Sequence, residues 1–167
     1  MKYNFKDGLG LVLAHKHFNG GGWVADTTQV ADTAYIGPKA QVYGDAWVYG
    51  NAQVYDNAKV YDDAQVFGNA RVFGNARVFD KAQVFGDALV WGNALVSGTA
   101  QIFGNAWVFE NTRVYGNAWV YVPINFNCDF DPWTIMQNIL NKKEDLPLLI
   151  GRDPNLDKII HELLQKD

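Results

Sequence analysis

The chain has 167 residues, with 14 lysines and arginines against 18 aspartates and glutamates, a formal net charge of −4. That balance argues against a protein built mainly to grip nucleic acid or anionic lipid, and the length allows one domain with a buried core plus a small appendage. Its one cysteine, Cys128, excludes an internal disulfide framework and a cysteine-based zinc cluster, and no apolar run reaches the roughly eighteen residues of a membrane span, so a cytoplasmic location is expected.

Residues 1–18 hold the apolar run LGLVLA. They are expected to form cap strands, because an uncovered solenoid end exposes unpaired backbone and recruits other chains. Two histidines, His15 and His17, stand here. In a strand they would point the same way and could join a metal site with a third ligand, or supply a general base. No neighbour in the sequence orients either one, so they read as polar cap residues.

From Val24 to Val120 an aliphatic residue stands at every sixth position, seventeen times in succession. A small residue, nearly always Ala, precedes each by two. An aromatic commonly follows, and Gly-Asn closes many units, at 50–51, 68–69, 74–75, 92–93, 104–105 and 116–117. A helix requires apolar spacings of three and four and tolerates such glycines poorly. Side chains alternate across a strand, so Ala and Val share one face while the aromatic and the residue between Ala and Val share the other. Gly-Asn supplies the bend. Each hexad is therefore a short strand and a corner, and stacked hexads bury a continuous column of Val and Ala.

The unit A-x-V-aromatic-G-N resembles the hexapeptide-repeat, left-handed parallel β-helix family, in which three hexads make one triangular coil. The stretches NGGGWVAD and YDNAKVYDDAQV are similar to YdcK-like proteins, grouped with transferases, and to related repeat proteins of bacteria and their phages. The resemblance implies an all-β solenoid of about five to six coils over residues 19–122. It also brings two functional expectations: acyl transfer from acetyl-coenzyme A with a histidine base, or a phage-type sequestering or inhibitory role. The family's acyltransferases interrupt their coils with loops; these seventeen hexads contain neither a loop nor a histidine. A non-catalytic binder is therefore preferred, with acyltransferase as the alternative.

With eighteen residues per coil, equivalent positions stack at about 4.8 Å and the outward residues form columns. The first face carries Lys59, Arg77 and Arg113 beside Tyr61, Phe79 and Tyr115. Guanidinium next to stacked rings suits a flat anionic, nucleotide-like ligand. The second face presents Trp47, Tyr49, Phe67, Phe85, Phe103, Trp119 and Tyr121 with no charge among its outward columns. An apolar strip of that size marks self-association, as a dimer or trimer. The corner after the first face collects Asp45, Asp62, Asp63 and Asp80, which could hold a divalent cation but read first as solvated turn carboxylates.

Residues 123–167 leave the repeat at Val122-Pro123. Asp131-Pro132 and Asp153-Pro154 read as helix starts, and Leu156, Ile159, Ile160, Leu163 and Leu164 form one apolar stripe, so this segment is expected to be a helical cap or an oligomerisation element. The expected partners are a second copy, a small anionic ligand or a protein, with no cofactor, no membrane and no double-stranded nucleic acid.

Overall fold

The structure is a computed structural model and describes residues 1–8 and 10–120. The segment read as a helical cap at 123–167 lies outside the described residues, as does Tyr121. Residues 23–120 form an all-β parallel solenoid of three sheets. The first face has six coil strands, from Trp23–Ala25 to Arg113–Val114; the second has six, from Gln29–Val30 to Trp119–Val120; the third has five, from Tyr35–Ile36 to Trp107–Val108. Each strand pairs in parallel with the one eighteen residues on, as in Gln65↔Gln83 and Val66↔Val84. No helix among the described residues is long and apolar enough to cross a membrane.

The alternation of the hexad decides what is inside. Val42 through Val108 and their alanine partners from Ala34 to Ala106 form one column and are at most 2 % exposed. Removing each valine from water is worth about 1.5–3 kcal/mol, so the lumen supplies the main driving force for coiling. The rings stand outside and stack on one another. Tyr49, Phe67, Phe85 and Phe103 follow at centroid distances of 4.8, 4.8 and 5.2 Å with nearly parallel planes. Tyr55, Phe73, Trp91 and Phe109 form a second ladder, and Tyr43, Tyr61 and Phe79 a third.

The corners need a left-handed residue. Gly68 sits at φ +72° with its α-carbon so near the next coil that a Cβ would lie 3.1 Å from Gly86 N. Where the repeat places an acid instead, as at Asp56, Asp62 and Asp80, φ is 55–56°. Those carboxylates accept backbone N–H bonds from the coil above, from Gly74, Asp80 and Gly98 respectively. The following asparagines form their own ladder, Asn57 to Asn75 to Asn93 to Asn111, at 3.0–3.2 Å.

At the amino-terminal end, β1 (Lys2–Asn4) and β2 (Leu11–Lys16) form an antiparallel hairpin, and β2 pairs antiparallel with β3 (Trp23–Ala25) at the edge of the first sheet. The expected cap strands are present, but the hairpin also reaches over the outer surface of the first face. Tyr3 stacks on Trp23 at 4.1 Å and Phe5 on Tyr43 at 4.8 Å. Phe5 is fully buried there with Ala14 and Ala25.

Candidate ligand-binding face

The first face is divided by what its outward columns lack. Its ring column reads Ala25, Tyr43, Tyr61, Phe79, Ser97, Tyr115, with neighbours vertically paired through Val24, Val42, Val60, Val78, Val96 and Val114. Below Tyr43 the missing ring is replaced by Phe5. At Ser97 it is not replaced by any neighbouring rung: Phe79 lies one coil below and Tyr115 one coil above, and Tyr115 is 62 % exposed. Two rungs of about 4.8 Å leave a slot the thickness of one more stacked ring. Beside it, Leu95 is paired with Arg77 on one side and Arg113 on the other, so an arginine stands on the rung below and on the rung above the apolar Leu95.

Lower on the same face, the arm after β1 closes against the coils. Lys59 Nζ donates to Phe5 C=O at 3.5 Å and Gln41 Nε2 to Tyr3 Oη at 3.2 Å. Lys6, Asp7, Lys59, Tyr61, Asp62 and Arg77 line a cleft of ≈ 420 Å³ there, together with Tyr43 and Gly44. Loss of hydration holds the Lys59 ammonium below the ordinary lysine range, helped by the like charges of Arg77 and Lys6. Burial pushes the Tyr61 hydroxyl up, and Tyr43 likewise, with Tyr61 beside it contributing. An anion in this cleft would relieve the Lys59 ammonium.

Of the six ligand residues expected from sequence, Lys59, Tyr61 and Arg77 meet in the cleft, and Phe79, Arg113 and Tyr115 stand on the rungs next to Ser97 and Leu95. The sequence reading missed the arm. KYNFK reads locally as a strand with two rings on one side; which wall they cover depends on how β2 docks on β3.

The second face keeps its uncharged character. Phe67, Phe85 and Phe103 are half-buried in their ladder, while Trp47, Tyr49 and Trp119 are exposed, at 43, 38 and 53 %. Phe103 and Trp119 meet edge to face at 6.5 Å.

The histidines do not act as a pair. β2 ends at Lys16, and the loop closed by His17 N–H to Gly22 C=O carries His17 to the third face, where its Nε2 is 3.1 Å from Ala34 C=O and its side chain is buried. His17 continues the pairing of β2 with β3 through Gly22, so the two rings leave the same stretch and meet different partners. His15 stays exposed, and its Nδ1 lies 2.7 Å from Asp26 Oδ1. An orienting partner therefore exists, where the sequence offered none, because the antiparallel register sets His15 opposite Val24, two residues from Asp26.

Two of the four corner acids are spent on backbone. Asp62 and Asp80 cap the coil above them, Asp45 and Asp63 are exposed, and among the described residues no three His, Cys, Asp or Glu side chains are grouped to hold a metal ion.

Five consecutive stretches, residues 40–54, 52–68, 64–80, 82–98 and 100–116, match the YdcK β-solenoid repeat. No curated protein and no solved structure is found to match the chain.

Proposed function

We propose that this chain, whose coils match the YdcK β-solenoid repeat within residues 40–116, is a non-catalytic cytoplasmic binding scaffold that takes a flat anionic ligand on its first face and associates with itself through its second. The observation that carries the ligand reading is the ringless rung at Ser97, between Phe79 and Tyr115 and beside Arg77 and Arg113. A planar base completes the ladder there, and its phosphate lies across Leu95 between the two guanidinium groups. Such a site holds a ligand on a rigid wall without enclosing it in reactive groups, which suits sequestration or blocking better than turnover.

The test is calorimetric titration of the full chain with adenosine monophosphate, adenosine and inorganic phosphate. Adenosine monophosphate should bind more tightly than either part. Ser97→Phe, which fills the rung, should remove binding without loss of stability, and Arg77→Ala should weaken it at least tenfold. If Ser97→Phe binds the nucleotide as well as the parent chain, the slot is not the site.

Acyl transfer is the second reading, favoured by the contact between His15 and Asp26. A carboxylate on Nδ1 leaves Nε2 to take the proton of an acceptor as the acyl group leaves coenzyme A as a thiolate. Turnover of acetyl-coenzyme A that disappears in His15→Ala would displace the binding proposal.

A further inference from the structure

Among the described residues the amino-terminal end is covered on two faces and open on one. On the first face β2 pairs with β3. On the third, the loop after β2 imitates a strand: Ile36 N–H donates to Asn19 C=O, Gly22 N–H donates to Ile36 C=O, and Ala34 C=O accepts from the Asn19 amide and lies against His17 Nε2. On the second, Gln29–Val30 is the last strand of its sheet. One coil up, Ala46 and Val48 C=O accept from Gln29 and Ala31 N–H; the corresponding carbonyls of Thr28 and Val30 have no strand below them among the described residues. Val30 is also only half-buried, unlike the aliphatics stacked above it.

The ring column of this face is also vacant in its first coil. Ala31 stands where Tyr49, Phe67, Phe85 and Phe103 stand above it, and a cleft of ≈ 490 Å³ opens between Ala31 and Tyr49, walled by Trp47 and floored by Val30. The chain itself demonstrates what such a vacancy accepts. Over Ala25, the equivalent position of the first face, Phe5, just past β1 of the hairpin whose β2 pairs with β3, lies on the outer wall and stacks on Tyr43 at 4.8 Å. That arm reads KYNFK, two rings flanked by lysines. The corner after the vacant rung carries the exposed Asp32, and the corner before it carries Asp26, already in contact with His15, so Asp32 favours a cationic guest at the open site.

We infer that the first coil of the second face binds an extended, basic peptide of a partner protein, which adds a strand below Gln29–Val30 and places an aromatic side chain on Ala31 beneath Tyr49. Main-chain bonds to a sheet edge supply affinity in this mode, and the ring pocket supplies selectivity. The site is separate from the ring-and-anion slot of the first face and requires no self-association.

The experiment uses the full chain and a fluorescein-labelled synthetic peptide, KYNFK, with KANAK as its ringless counterpart. Saturable anisotropy is expected for KYNFK, at least tenfold weaker for KANAK. Ala31→Tyr, which supplies its own ring beneath Tyr49 and should fold at least as stably, is expected to weaken KYNFK binding at least tenfold. Ser97→Phe is expected to bind it unchanged. Peptide affinity that survives Ala31→Tyr overturns the proposal. Concentration-dependent dimers of the parent chain that vanish in Ala31→Tyr overturn it too, since the occupant is then a second copy.

Discussion

The Phe5 ring stacks on that of Tyr43, 4.8 Å away and tilted by 25°, over Ala25 in a ladder to which it has no covalent place. The buried ring fastens the hairpin to the solenoid wall. Phe5→Ala is expected to cost about 3–5 kcal/mol at the hairpin, in the range of buried aromatic truncations. Amide exchange should show the loss confined to β1 and β2, with the coils above unchanged. Uniform loss of protection through all coils would mean that the arm nucleates the solenoid and does more than cover it.

Beneath that arm, Lys59 is desolvated and faced by Arg77 and Lys6, so its folded-state pKa lies below the usual 10.5. At neutral pH the unfolded chain holds this charge more comfortably than the folded one does. As pH rises between the lowered value and 10.5 the unfolded state binds more protons, so this group's contribution to stability increases with pH. Lys59→Met is expected to raise Tm by about 2 °C at pH 7, and the advantage should shrink as pH climbs toward 10. A Lys59→Met chain that melts below the parent at pH 7 would show that the bond to Phe5 C=O outweighs the penalty.

The period of six makes the lumen legible in the sequence alone. Alternation allows only one face of A-x-V to be apolar, and the pairing of Gln65 with Gln83 bears out both the inward valines and the eighteen-residue coil. Ser97 is equally visible as a ringless position in its column. The arm is less so, because a five-residue local pattern does not say which wall it packs on. Asp26 finds His15 through an antiparallel register that no repeat encodes, since the two stand eleven residues apart in a segment without periodicity.

Corner positions separate conformational from hydrogen-bond effects. At Gly68 a methyl group meets both a left-handed backbone and the next coil's amide at 3.1 Å, so Gly68→Ala should cost about 1–3 kcal/mol. At Asp80 the same preference for glycine over alanine holds, now against the loss of a hydrogen bond. Its carboxylate accepts the Gly98 N–H at 2.9 Å while its φ is 55°. Asp80→Ala loses the bond and keeps the strain, whereas Asp80→Gly loses the bond and relaxes the backbone. Urea titration should place Asp80→Gly above Asp80→Ala by about 1 kcal/mol; equal midpoints would deny the corner any strain.

The second face leaves Trp47 and Trp119 about half exposed on a wall without a charge in its described outward columns. Parallel stacking accounts for the half-buried Phe67 and Phe85, which each gain rings above and below. It does not cover the two tryptophans or the glutamines between them, and flat uncharged surfaces of this extent are commonly found against a partner. Sedimentation of the parent chain should therefore reveal a dimer or trimer that dissociates on dilution. Phe67→Ser/Phe85→Ser should shift it to monomer, but that pair also opens the ladder. Gln65→Lys/Gln83→Lys keeps every ring and sets like charges on adjacent rungs, so it should dissociate the assembly with the fold intact. A parent chain that sediments as monomer from micromolar to submillimolar concentration would leave the ladder's stacking as its whole purpose.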